Sequence, residues 1–121
     1  MSLLATILIC LVAFEHFYFM VLEMFLWTTP RGRKTFGMTQ AQADATATLA
    51  GNQGLYNGFL AAGLVWSLCT SVPGLATPVQ QFFLGCVIVA GVYGAVTVKR
   101  AILFIQAVPA ALAMLAVCLR S

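Results

Sequence analysis

The sequence predicts an all-α integral membrane protein, a four-helix bundle with both termini on the non-cytoplasmic side. Three observations carry that prediction. The 121 residues are 62% hydrophobic and only 7% charged, and the mean hydropathy is +1.00, whereas a soluble chain is about half apolar and about a quarter charged. The apolar residues fall into four runs, each close to the ~20 residues that cross a hydrocarbon core of roughly 30 Å. The cations gather at the ends of those runs: Arg31, Arg33 and Lys34 follow the first, Lys99 and Arg100 the third. Cytoplasmic loops carry the excess of Lys and Arg, so these two clusters, five of the six basic residues, place their connections in the cytoplasm and leave Arg120 alone on the far side. No basic stripe interleaved with aromatics points to nucleic acid. A single transmembrane domain, residues 1–121, accounts for the length.

The first helix is predicted over residues 3–28, ended by Pro30, Arg31 and Gly32. It lacks a basic segment ahead of the apolar run and a small-residue cleavage pattern after it, so it is expected to be retained. Residues 31–42 are polar and form the one long connection. The second helix, 43–69, is entered through Thr39 as N-cap, and its first third, with Asp44, Thr46 and Thr48, is polar enough to stand outside the bilayer. The turn at 71–78 holds two prolines and a glycine. The third helix, 79–98, and the fourth, 101–119, are separated only by Lys99 and Arg100, and Pro109 is expected to kink the fourth, which membrane helices tolerate. Gly54, Gly58 and Ala62 form a small ridge that permits close helix approach, as do Gly85, Gly91 and Gly94. Cys10, Cys69, Cys86 and Cys118 have no metal-like spacing and read as small apolar residues.

Ionisable groups inside a span cost several kcal/mol (about 2.5–3.5 on insertion scales) and face a bundle interior or a wet cavity. Here they align. His16, Met20, Glu23 and Trp27, spaced by four, three and four, share one face of the first helix, with Glu15 beside it. The second helix adds Asn52 with Tyr56 and Gln53 with Asn57, each pair one turn apart, and Gln106 is the strongly polar side chain of the fourth. At ~1.5 Å per residue, Glu23, Asn52, Gln53 and Gln106 fall in the cytoplasmic half, while Glu15, His16 and Asn57 lie near mid-depth. Two readings compete: a hydrogen-bond network that locks helices together, and a cytoplasm-facing pocket for a small lipophilic or amphipathic molecule. The pocket is the leading expectation, with Glu15, His16, Glu23, Asn52, Gln53, Tyr56, Asn57 and Gln106 as its lining. If the bound molecule is also modified, Glu23 and His16 are the candidate acid or base. No cofactor is indicated, and Glu15, His16 and Glu23 are too sparse a set for a metal site. A proton-coupled small transporter or channel is the alternative, since buried carboxylates and histidine form proton relays. A structural subunit of a membrane complex is the second alternative.

The runs Glu23 to Lys34, Asn52 to Gly63, Val89 to Gly94 and Gln106 to Pro109 resemble the bacterial family catalogued as domain of unknown function 1304. That resemblance covers nearly the whole chain, implies a multi-pass protein of the bacterial inner membrane, and brings no activity with it. In layout the chain is also similar to the membrane-associated eicosanoid and glutathione metabolism proteins, four-helix subunits assembled as trimers. Their second helix reads Arg-Ala-x-x-Asn-x-x-Glu-Tyr, and Asn52 and Tyr56 match it, while Thr48 and Leu55 stand where the arginine and glutamate would be. The resemblance implies a homo-oligomer, a trimer in particular. The two missing charges argue against glutathione as its ligand.

Overall fold

The structure is a computed structural model that describes residues 2–119. Among these residues it is all-helical, without strands. Arg120, the solitary cation of the topology argument, lies outside the described residues.

Helix α1, Leu3–Met24, ends four residues before the predicted limit. The cause is local. Thr29 precedes Pro30, which disfavours helical backbone at the preceding residue, and Thr29 is extended (φ −79°, ψ 165°). Residues 25–29 therefore form a turn, in which the Thr29 hydroxyl donates to the Leu26 carbonyl at 2.6 Å. Pro30 then occupies the first turn of a two-turn helix, α2, Pro30–Phe36, inside the connection expected to be irregular. Gly37, left-handed at φ 65°, ends it, and its N–H bonds back to the Arg33 carbonyl.

Helix α3, Gln40–Cys69, starts three residues earlier than predicted. Thr39 is its cap, as expected: the Gln42 N–H donates to the Thr39 hydroxyl at 3.1 Å and the Thr39 N–H to the Gln42 side chain at 2.9 Å, a reciprocal capping box. Helix α4, Ala76–Thr97, also begins early, because Pro78 is tolerated in a first turn whose N–H groups have no helical partner. The chain re-enters helix at 101, widens into a π-helical turn at Leu103–Ala107, and continues as α5, Val108–Leu119. This is how Pro109 acts. Its missing N–H and its ring are incompatible with a regular bond to the carbonyl of Ile105, and the wider turn, with Val108 N–H bonded to Leu103 five residues back, absorbs the mismatch.

Two helices, α1 and α4, are long and apolar enough to cross a membrane. Helix α3 is diluted by its polar first third and by Asn52, Gln53 and Asn57, and the apolar helical run Leu103–Leu119 is shorter.

The residues gather into two compact units whose boundaries fall within α1 and α3. One is Glu15–Phe59; the other holds the described residues up to Phe14 and from Leu60 onward. The second unit has the apolar core: Ala5, Ile9 and Val12 of α1, Leu64 of α3, Leu84 and Val87 of α4, and Ala110, Ala113 and Val117 of α5. Small residues set its spacing. A Cβ on Gly91 would lie 2.7 Å from the Ala107 backbone nitrogen, and one on Gly63 would overlap the Phe83 ring at 2.3 Å from its Cζ. Gly94 packs on Ile102, whereas a Cβ on Gly85 would meet only the Met114 Cε at an ordinary 4.0 Å, so two of the three predicted α4 glycines serve close approach.

Large apolar side chains are turned outward as well as inward. Phe14, Tyr93 and Val96 are 70%, 71% and 81% exposed, with Leu3, Leu11, Phe82 and Val89 similarly turned outward. Some polar side chains are nevertheless buried, His16, Glu23, Asn57, Ser67 and Gln80 among them, while Arg31, Lys34, Asn52 and Gln53 are exposed.

Candidate functional site

The unit Glu15–Phe59 holds seven of the eight predicted site residues. It is built by the second half of α1, the Phe25–Thr29 turn, α2, and the first part of α3. Gly54 brings the helices together: a Cβ there would come within 2.9 Å of the Glu23 Cβ and 2.8 Å of the Met24 Cγ. Gly58 similarly receives the Met20 sulfur. Two members of the predicted small ridge thus serve close approach. The third, Ala62, is exposed, and the buried stripe of α3 instead runs Ala50, Gly54, Asn57, Ala61, Leu64.

At that approach Asn57 Nδ2 donates to Glu23 Oε1 at 2.5 Å, and the exposed Gln53 amide lies near the Glu23 carboxyl. Glu23 is 6% exposed and Asn57 8%. A carboxyl removed from water must be satisfied by neighbours, and Asn57 does so directly, with Gln53 one turn earlier on α3. Two turns before Glu23 on the same face, His16 is fully buried with Phe19 edge-on at 5.4 Å between ring centroids. Its Nδ1 lies 4.0 Å from Glu15 Oε1, an oxygen that is itself buried and has no hydrogen-bond partner among the described residues. One turn past Glu23, the Trp27 indole donates to the Thr46 hydroxyl at 3.0 Å and stacks on Phe36 at 4.7 Å.

The face read from spacing on α1 is therefore the inward face, and Glu23, Gln53 and Asn57 are brought together. Asn52 and Tyr56 are not: both are exposed, on the other side of α3 from Asn57. Gln106 belongs to the other unit, half-buried in the π-helical turn. Sequence reasoning missed four residues. Gly32 is buried, and a Cβ on it would overlap the Leu26 carbonyl oxygen at 2.0 Å, so only glycine lets α2 fold onto the preceding turn. Thr46 is the partner of Trp27. Gln80 and Ser67 are buried polar groups of the second unit, Ser67 donating to the Leu64 carbonyl at 2.6 Å. Being confined to one side of its helix was the available signal for Asn57, since Gly54 and Gly58 flank it at helical spacing.

Residues 10–118, which include every candidate site residue, match the family described as protein of unknown function (DUF1304). The chain belongs to that family. A relative described as uncharacterized protein YpaA, from Lactococcus lactis, is 32% identical over 117 residues, which is 95% of this chain and 97% of the relative. The family match thus reaches into every helix and includes the whole polar unit. No solved structure matches the chain.

Proposed function

We propose that this family member is a multi-pass protein of the bacterial inner membrane, with four spans and both termini outside, whose polar unit binds the head of a small lipophilic or amphipathic molecule from the cytoplasmic side. The observation that carries the reading is an inversion: rings and branched aliphatics cover the outside of α1 and α4, while a carboxylic acid, amides and an imidazole are buried. In water that arrangement would leave a large apolar surface exposed and polar groups desolvated; in lipid each group is where its solvation is best. Glu23, bonded to Asn57 and with Gln53 near, is the polar centre of the site, and His16 is its deeper limit. A homo-oligomer, in the simplest case a trimer, would shelter the exposed faces of α3 and α4.

The test has two arms. With the four native cysteines replaced by alanine, Arg33→Cys is expected to react with a membrane-impermeant maleimide only after the cytoplasmic side is opened; reaction in intact cells would reverse the topology. Native mass spectrometry of protein released from its own membranes is expected to show a small-molecule adduct that is lost in Glu23→Gln. Identical adducts in both proteins would remove the pocket and leave the Glu23–Asn57 pair as helix-locking glue.

A further inference from the structure

We propose that helix α2 and the outer side of α1 beside it form a binding site for the headgroup of an anionic phospholipid, an inference that rests on the membrane reading above. Helix α2 presents Arg31, Arg33 and Lys34 within four residues, on a backbone held at both ends by the Thr29 and Gly37 caps and seated on the Leu26 and Trp27 carbonyls through Gly32. Three cations are thereby fixed at one place, not carried on a loose loop. Among the described residues no salt bridge joins any of them to an acid. Asp44 is engaged by Gln40 at 2.9 Å, and Glu23 is buried against Asn57.

Two details turn a basic helix into a site. Arg31 is swung toward α1, its Nη1 donating to the Tyr18 hydroxyl at 3.2 Å. Arg33 is half-buried, and its Nε is shielded from water with no acceptor among the described residues. A phosphate oxygen is the acceptor that guanidinium geometry fits best. The surroundings select a lipid over a soluble anion. Phe17, Tyr18 and Phe25 are exposed on α1 and the turn that follows it, so a headgroup at α2 would have apolar rings beside it for its acyl chains. Basic groups just cytoplasmic of a membrane helix are attracted to anionic leaflets by about 1 kcal/mol each, about fivefold in affinity.

The experiment uses the full chain. Carbonate extraction of cell membranes comes first: a chain recovered in the soluble fraction defeats the membrane reading, and this inference with it. For a chain that stays in the membrane, native mass spectrometry in detergent measures retention of dioleoyl phosphatidylglycerol against dioleoyl phosphatidylcholine. Phosphatidylglycerol is expected to be retained preferentially. Arg31→Gln and Lys34→Gln, both at exposed positions, are each expected to weaken retention about fivefold, while Lys99→Gln, in the other basic pair, leaves it unchanged. Arg33→Lys is the discriminating variant: it keeps the charge, removes the Nε donor, and is expected to weaken retention by at least the same factor. Equal retention of the two lipids, or full retention in Arg31→Gln and Arg33→Lys at wild-type helicity, would overturn the site while leaving the membrane reading standing. Displacement of the lipid by inorganic phosphate at equal concentration would overturn the lipid assignment.

Discussion

The two compact units use opposite chemistry to hold helices together. In the unit formed by the N-terminal segment and the residues from Leu60 onward, aliphatic side chains meet side by side, Ile9, Leu64, Leu84 and Val117 among them, and Gly91 lets backbone touch backbone. In Glu15–Phe59 the helices meet through a carboxyl held by an amide, an indole bonded to a threonine, and an arginine bonded to a tyrosine. Apolar packing has no direction and tolerates exchange of one aliphatic for another of similar volume. A polar cluster is directional, and it fails when one member is left without its partner. The difference teaches where specific recognition can reside: the apolar unit has the means to be a scaffold, and the polar unit has groups that a ligand could compete for.

Three experiments test the contrast, from the largest effect to the smallest. Gly32→Ala should be the most damaging. Its Cβ would overlap a backbone carbonyl that cannot rotate away, so we expect a loss of more than about 3 kcal/mol, the upper range for overpacking, read as loss of monodisperse protein on gel filtration. Gly51→Ala is its control, because nothing lies within 4 Å of a Cβ there, and helix propensity should then stabilise by up to about 1 kcal/mol. If both variants behave alike, the seating of α2 on its turn is wrong.

Leu84→Ala comes next. Leu84 is fully buried in the apolar core, and emptying such a position costs about 2–5 kcal/mol in water-soluble proteins. In lipid the packing component alone remains, so about 2 kcal/mol is expected by reversible detergent unfolding, with no change in any ligand adduct. Altered adducts would place recognition in the apolar unit and undo the comparison.

The smallest effect sharpens the comparison most. A double-mutant cycle of Glu23→Gln and Asn57→Ala should return a coupling of about 0.6–1.7 kcal/mol, the range of intramembrane hydrogen bonds, while the same cycle with Asn52→Ala should return none, since Asn52 is exposed. Coupling through Asn52 as strong as through Asn57 would mean that α3 is turned the other way.

Much of this was legible in the residues. The four apolar runs, the Thr39 cap, the inward face of α1 and the disturbance at Pro109 all follow from spacing and from local backbone chemistry. The site was legible only in part. Asn52 and Asn57 are equally polar, and the repeat of 3.6 residues assigns each to a face without saying which face is covered. Asn52 and Tyr56, paired by their one-turn spacing and matched by the resemblance, lie on the exposed side of α3. Helix α2 escaped notice because a glycine and three cations in seven residues are poor helix material, and the contact that makes Gly32 necessary lies in the preceding turn.

The sequence by itself determined the all-helical architecture, its breaks and its family, because these depend on apolar run length and on residues a few positions apart. The tertiary structure decided which polar groups meet. Glu23 and Asn57 are 34 residues apart, and they share a hydrogen bond only because Gly54 has no side chain to keep α1 and α3 from closing around it.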